Sequence, residues 1–209
     1  MNSKKNKHSC LKIKIVNLVV ALALLLSNCA VPFETADTQE MGKAESIIGY
    51  TAPLNITART NFGVTGYTDL GIGLDMGAHL SSDPVFCLYG TGKQKILTFG
   101  KDPHYNLFIS GAYGIVSTEL NPEKIPYYHY TLLLGIEDND VGLSLGIGIL
   151  QDPRYSWELM HEDFSKENYI QILMGIEIGK FLFQTQIVYG KDSNGYTDEF
   201  LSFGLGIKL

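Results

Sequence analysis

Alternation of residue types between residues 127 and 150 constrains the fold of this chain more than any other feature. The stretch reads YYHYTLLLGIEDNDVGLSLGIGIL, and large aliphatic residues alternate with glycine or serine in its second half. In an extended chain this places the two kinds of residue on opposite faces. The polar residues Asp138 to Asp140 separate the two halves, as in a hairpin turn. The stretch therefore predicts a β-hairpin.

The face opposite the aliphatic residues indicates the environment of these strands. It carries glycine, serine, threonine, asparagine and glutamine, and three of the alternating runs contain no charged residue: Tyr105–Ser117, Val141–Leu150 and Phe181–Gly190. A strand face in water normally carries charged residues. A membrane barrel instead has an apolar exterior and a small or polar interior, and a narrow interior favours glycine. This pattern favours a membrane barrel, with a soluble or surface-tethered β domain as the alternative.

Alternating runs predict about ten strands in all, an even number that suits a closed antiparallel barrel. One of them, Val85–Leu97, is expected to bulge at Gly90 and Gly92. Short turns at 65–68, 138–140 and 180 alternate with longer connections at 118–126, 151–168 and 191–198. The predicted strands are Ala44–Tyr50, Leu54–Val64, Asp69–Leu80, Val85–Leu97, Tyr105–Ser117, the two halves of 127–150, Tyr169–Gly179, Phe181–Gly190 and Phe200–Leu209.

We therefore predict an all-β chain in which residues 44–209 form a single antiparallel up-and-down transmembrane barrel of about ten strands, within a range of eight to ten. Strands that cross a membrane at a tilt need about nine to eleven residues, as most of these runs provide. Periplasmic turns are short and outer loops long in such barrels. The order of the connections accordingly places both chain ends on the periplasmic side.

The first 28 residues have the layout of a signal peptide, with five lysines followed by an apolar run from Ile15 to Leu26. The sequence Leu-Ser-Asn-Cys that ends at Cys29 resembles the lipobox of bacterial lipoproteins. That resemblance implies cleavage after Asn28, acylation of Cys29 (a palmitate-bearing anchor) and, with Ala30 next, an outer-membrane address. Residues 29–43 then form a lipidated N-terminus and a polar tether. The alternatives are an ordinary cleaved signal or an uncleaved anchor.

Removal of residues 1–28 changes the charge balance of the chain. It leaves 11 basic and 22 acidic residues, a net charge of −11 instead of −6. Such a charge disfavours nucleic acid or anionic lipid headgroups as partners. Beyond Cys29 the mature chain has only Cys87, so it has no cysteine pair for an internal disulfide.

Two blocks resemble small bacterial outer-membrane barrels. The block NFGVTGYTDLGIGLDMG, Asn61–Gly77, is similar to their strand, short turn and Asp-Leu-Gly-Leu-Gly-Leu strand. The end FLSFGLGIKL, Phe200–Leu209, resembles the closing strand that they present to the barrel-assembly machinery. The resemblance implies that membrane lipid and this machinery are partners. It implies no single activity, because such barrels include adhesins, inhibitors of host defence, small enzymes and narrow channels.

Charged residues on the predicted lumen face are the first candidates for chemistry. They are either a polar conduit or an ion-pair network that fills a barrel too narrow to conduct, and the second interpretation is favoured because small barrels fill their interiors with side chains. We expect Arg59 to be the hub of this network, paired with a carboxylate. The predicted lumen polar network is Arg59, Asp69, Asp75, His79, Glu137, Glu177 and Lys208.

The connection 151–168 is the second candidate, since it holds Trp157, Glu158, His161 and Glu162. A metal site or an acid–base pair is one interpretation, and a solvated outer loop with an aromatic anchor is the favoured one. No catalytic residue, metal ligand or cofactor is therefore predicted. The favoured function is a non-enzymatic outer-membrane lipoprotein with a structural or surface-interaction role and an unidentified external ligand. The alternatives are a narrow solute pore, a barrel enzyme, or a lipid-tethered soluble β domain.

Overall fold

Ten antiparallel strands close into one barrel, as the alternation predicts. A computed structural model describes residues 33–51, 55–78, 84–101, 103–118, 125–138, 141–152, 168–191 and 197–209. Each strand pairs with its neighbours in sequence, and β1 pairs with β10 to complete the circle. The strands are β1 Ala44–Thr51, β2 Asn55–Thr65, β3 Thr68–Ala78, β4 Pro84–Phe99, β5 His104–Thr118, β6 Ile125–Asp138, β7 Val141–Gln151, β8 Tyr169–Ile178, β9 Phe181–Lys191 and β10 Thr197–Lys208.

The period-two pattern determines which residues face the lumen. In β2 every second residue from Asn55 to Gly63 is buried, and the residues between them are largely exposed. Ile56 in β2 and Ile72 in β3 are each 56% exposed on the outer surface, whereas Arg59 is 4% exposed inside. The same division holds around the barrel, so the aliphatic side chains form its exterior. In the described part of the chain, no helix is long and apolar enough to cross a membrane.

The bulge predicted at Gly90 and Gly92 is wrong. Both glycines keep a regular register with β3 and with β5. The irregularity in β4 lies instead between Lys95 and Leu97, near the turn to β5. A Cβ atom at Gly90 would have only one atom within 4 Å, at 3.9 Å, so crowding does not distort the strand at that point.

The connections divide the barrel into two ends. At the turn end, two-residue connections at 66–67, 139–140 and 179–180 and a four-residue connection at 100–103 join the strands, and β1 begins and β10 ends there. Gly179 has φ +55°, a left-handed conformation that glycine adopts easily in a tight turn. At the loop end the connections are 52–54, 79–83, 119–124, 152–168 and 192–196.

Side chains fill the lumen in layers. Near the loop end lies an apolar cluster, which we call the loop-end cluster: Val85, Cys87, Tyr89, Ala112, Val116, Tyr127, Leu150, Tyr169 and Val188, with Phe200 packed against it. Buried polar residues occupy the middle, where Gln186 donates to Gln171 at 2.9 Å and Gln171 donates to Thr131. Smaller apolar clusters lie closer to the turn end: Phe33 with Ile47 and Leu182, and Phe108 with Leu133 and Leu173.

Candidate functional site in the barrel lumen

A segment that precedes β1 occupies the lumen. We call residues 33–38 the lumen segment. Its first four residues, Phe33 to Ala36, are each at most 4% exposed. The sequence predicts a polar tether for residues 29–43, but within this stretch residues 33–38 pack inside the barrel and residues 40–43 are exposed before β1 begins. Polar residues are stable at this position because the lumen wall supplies polar partners for them.

Glycines of the wall provide the space for Phe33. A Cβ atom added at Gly49, Gly204 or Gly206 would collide with the Phe33 ring, at 3.1 Å or less in every case. These three glycines lie on the neighbouring strands β1 and β10. Ile47 and Leu182 complete the apolar contact with the ring. We call Gly49, Gly204 and Gly206 the glycine cradle.

Two further places in the wall are shaped to the backbone of this part of the chain. A Cβ atom at Gly135 would meet the carbonyl oxygen of Ala36, and one at Gly142 would come within 2.9 Å of the Ala36 side chain. A Cβ atom at Gly63 would meet the carbonyl oxygen of Glu40. Glycines of β2, β6 and β7 therefore allow the close approach of residues 36–40 to the wall.

Glu34 is the centre of the polar contacts. Its Oε1 accepts a hydrogen bond from Ser110 Oγ at 2.7 Å and lies 3.4 Å from Arg59 Nη1 and 3.6 Å from His129 Nε2. The Gln184 amide binds the Glu34 backbone on both sides: its Oε1 accepts from Glu34 N at 2.9 Å, and its Nε2 donates to Glu34 O at 2.6 Å. Ser144 Oγ also donates to Glu34 O at 3.5 Å, so side chains from five strands contact this one residue.

The electrostatic surroundings keep the Glu34 carboxyl ionised. Burial by itself raises the pKa of this group, because a charge is costly away from water. The Arg59 charge, the contact with His129 and the Lys93 charge outweigh that cost and hold the Glu34 pKa well below its usual value. Glu34 is therefore a buried carboxylate with the cationic side chains of Arg59 and Lys93 close by.

Lys93 fixes the second half of the lumen segment. Its Nζ donates to Thr35 O at 2.6 Å, to Thr35 Oγ1 at 3.0 Å and to Asp37 O at 2.7 Å. The ammonium group also lies 4.4 Å from the centre of the Phe108 ring. Asp37 pairs with Lys95 at 2.5 Å. Burial raises the Asp37 pKa, but the Lys95 and Thr38 hydrogen bonds leave it below its usual value.

The segment leaves the lumen beside the turn between β2 and β3. Thr38 Oγ1 donates to Gly66 O at 3.2 Å, and the Asp69 carboxylate accepts from Gln39 N at 2.9 and 3.1 Å. Gly42, with φ +79°, then reverses the chain, and Gly42 N bonds to Gly63 O at 2.8 Å. From this turn the chain continues into β1.

The predicted network residues are distributed over separate groups. Arg59 lies in the lumen centre, and its carboxylate partner is Glu34 of the lumen segment, which is not among the predicted network residues. Asp69 binds the Gln39 backbone, and Asp75 accepts from Tyr89 OH at 3.0 Å. Lys208 bridges Glu177 and Glu45 at the turn end, and His79 lies outside the described residues. The last member of the predicted network, Glu137, is exposed at the turn end.

The sequence did not reveal the residues that fix the lumen segment in the barrel. Glu34, Lys93, His129 and Gln184 have no motif around them. For the last three, the period-two pattern places the side chain on the lumen face, which is a usable signal. Glu34 has no such signal, because the segment does not alternate.

The arrangement lacks the contact that would activate a nucleophile. Ser110 and His129 both address the Glu34 carboxylate, and Ser110 Oγ uses its proton in that bond. The His129 Nδ1 atom is hydrogen-bonded to Tyr127 OH at 2.9 Å. Within the described ranges, no three His, Cys, Asp or Glu side chains are grouped as metal ligands would be. Cys29 and the residues Trp157, Glu158, His161 and Glu162 lie outside those ranges.

The sequence matches no protein-family model, and no curated protein is significantly similar to it. The chemistry of the barrel surface and of its lumen therefore provides the basis for a function.

Proposed function

We propose that this chain is a non-enzymatic outer-membrane lipoprotein, whose barrel crosses the membrane and whose role is structural or lies in contacts at the cell surface. The exterior carries this proposal. Large apolar side chains on all ten strands are exposed, among them Ile56, Ile72, Ile147 and Ile170, each at least 51%. Soluble monomers rarely expose apolar patches larger than a few hundred Å². A continuous apolar wall is stable when hydrocarbon surrounds it.

The filled lumen supports a structural or surface role over a solute pore. The lumen segment occupies the turn-end half of the lumen, and the loop-end cluster packs across the other half. A pore would need a continuous polar path, which these two obstructions interrupt. We therefore expect no ion conductance in planar bilayers. A stable conducting state of the native chain would instead favour a solute pore.

The arrangement at Glu34 supports a structural role over an enzyme. The Glu34 carboxylate is buried, and its Oε1 atom already contacts Arg59, Ser110 and His129. A catalytic group must reach a substrate atom. In this lumen the occupant of the polar site is the chain itself.

Membrane extraction tests the proposal directly. Carbonate treatment of membranes should leave the protein in the pellet, and the unboiled protein should migrate differently from the boiled protein on a gel, because a closed barrel resists detergent. Recovery in the soluble fraction, with one mobility before and after heating, would instead identify a lipid-tethered soluble domain. The mass of the purified chain reports acylation, since Cys29→Ser should lose the acyl groups and keep the heat-dependent mobility.

A further inference from the structure

The wall of the lumen holds the lumen segment largely through its peptide backbone. The side chains of Arg59, Lys93 and Gln184 bind main-chain atoms of this segment. The atoms they bind are N and O of Glu34 and O of Phe33, Thr35 and Asp37. Main-chain contacts give affinity for a peptide whatever its side chains are, while pockets for side chains give specificity. The wall therefore holds the segment as a peptide-binding protein holds its ligand.

The segment supplies the negative charges that the wall needs. Glu34 lies 3.4 Å from Arg59 Nη1, and Asp37 lies 2.5 Å from Lys95 Nζ. Lys93, which is 3% exposed, binds oxygen atoms of the segment with the same ammonium group that faces the Phe108 ring. A buried cation without a partner is strongly destabilising. This part of the lumen is therefore suited to an acidic occupant.

The side chains of the segment define a short pattern that the wall recognises. The ring of Phe33 packs against the glycine cradle. The next residue, Glu34, accepts from Ser110 and faces Arg59, and Asp37 follows three positions later at Lys95. The pattern is an aromatic residue, a glutamate directly after it, and an aspartate three residues further on.

The covalent link between the segment and β1 lies apart from these contacts. Residues 40–43 are exposed, and the Glu40 and Met41 side chains are each 77% exposed. A cavity of about 400 Å³ also borders residues 35–40 at the turn end, opposite Glu45, Glu137, Glu177 and Lys208. The lumen contacts are thus made by the segment itself, and its second half borders open space.

We propose that the lumen wall is a binding site for acidic peptides, and that the lumen segment occupies it as a ligand from the same chain. A peptide of another protein with the same pattern of aromatic residue, glutamate and aspartate competes for this site. The native chain is then autoinhibited by its own segment. The proposal goes beyond the proposed function and does not depend on a membrane around the barrel.

Cleavage of the exposed link tests the proposal in the full-length chain, purified in detergent. A protease site is inserted between Met41 and Gly42, and the probe is a synthetic peptide of residues 33–41, FETADTQEM, with a fluorophore at its last residue. The cut chain should take up the peptide saturably. The uncut chain should bind it at least about tenfold more weakly, because an attached ligand competes at a high effective concentration.

The absence of saturable uptake by the cut chain would overturn the proposal. That conclusion holds whether the chain's own fragment stays in place or the barrel unfolds when the fragment leaves, since in both cases the segment is a fixed part of the core. Equal uptake by the cut and the uncut chain would also overturn it, because the peptide would then bind elsewhere.

Changes in the wall and in the peptide separate this site from adsorption to the apolar exterior. Lys93→Gln in the cut chain, or a peptide with Glu34→Lys, should weaken binding about tenfold or more, because a hydrogen bond to a charged group is lost. Gln94→Ala is the matched control, since Gln94 follows Lys93 in β4 and is exposed, and it should leave the affinity unchanged. Equal affinity for the native and the Glu34→Lys peptide would contradict the proposal.

Discussion

The Glu34–Arg59 pair shows how a single residue holds the lumen segment in place. Both side chains are at most 3% exposed, so each charge depends on the other for compensation. A buried pair of this kind contributes little compared with two apolar residues, but the loss of one partner leaves an uncompensated charge. The stability of the folded barrel therefore depends more on the charge of residue 34 than on the number of contacts that this residue makes.

Replacement of Glu34 by alanine should destabilise the protein by about 3–5 kcal/mol, because Arg59 stays buried without its partner. Glu34→Gln keeps the shape and part of the hydrogen bonding, and its cost should be smaller. Chemical unfolding in detergent micelles measures both. Glu40→Ala serves as the control, since the Glu40 side chain is 77% exposed, and its effect should stay within about 0.5 kcal/mol. Equal losses at positions 34 and 40 would contradict this assignment.

Acid should release the lumen segment only below the usual range of a glutamate pKa. Because the folded pKa of Glu34 is lowered, its stabilising contribution is complete above the unfolded value and is lost as the pH falls through the folded value. The ¹⁹F signal of 4-fluorophenylalanine at position 33 should therefore keep its folded shift well below about pH 4. In Glu34→Gln the contribution of this carboxyl to the transition should be absent. A midpoint at or above the ordinary value in the native chain would show that Glu34 is not held as described.

At the scale of elements, the wall and its occupant are fitted to each other. Glycine generally weakens a strand, yet three glycines of β1 and β10 lie against the Phe33 ring. Their missing side chains create the volume that the ring fills. The glycines of β1 and β10 and the Phe33 side chain therefore depend on each other.

A side chain in the glycine cradle should compete with Phe33. Gly204→Val should cost about 1–3 kcal/mol through overpacking, and combination with Phe33→Ala should recover part of that loss. Gly90→Val is the matched control, because a Cβ atom at that exterior position meets only one atom within 4 Å, at 3.9 Å. Thermal unfolding of the native chain, the two single variants and the double variant gives the coupling energy between positions 204 and 33. Gly90→Val is measured beside them. Additive losses for Gly204→Val and Phe33→Ala would show that the two residues do not share one volume.

The strands could be predicted from the sequence, and the path of the lumen segment could not. Alternation is a local property. The ten strands and the inward orientation of Arg59 therefore follow from the types of residues that are adjacent in the sequence. The partners of Glu34 are distant: Arg59 is 25 residues away, Ser110 is 76 and Gln184 is 150. No local pattern encodes such contacts. The error at Gly90 has a related origin, since only the three-dimensional neighbours reveal that this glycine is under no steric demand.

At the scale of the whole molecule, the barrel inverts the usual distribution of residue types. The buried set includes Gln171, Gln184 and Gln186, while aliphatic residues cover the outside. The proposed membrane would suit this inversion, because it would surround the aliphatic exterior with an apolar medium. The cost of a charge on the exterior should then depend on its depth in that medium.

Charges placed at two depths of β7 measure this dependence. Ile147→Arg, in the middle of the strand, should destabilise the protein in lipid bilayers by about 2–4 kcal/mol, and Val141→Arg, at the turn end, by about 0–1 kcal/mol. Both side chains are exposed on the same face of one strand, which makes them a matched pair. Reversible unfolding from bilayers gives the two values. Equal costs at both positions would remove the support for a membrane around this wall.

The pairing of β1 with β10 has a consequence for biogenesis. This seam joins the first strand to the last, so the cylinder cannot become continuous until the final residues of the chain have been delivered. The Phe33 ring and the Glu34 carboxylate are enclosed by strands from both halves of the sequence. The last strand to be synthesised therefore both seals the cylinder and completes the enclosure of the Phe33 ring.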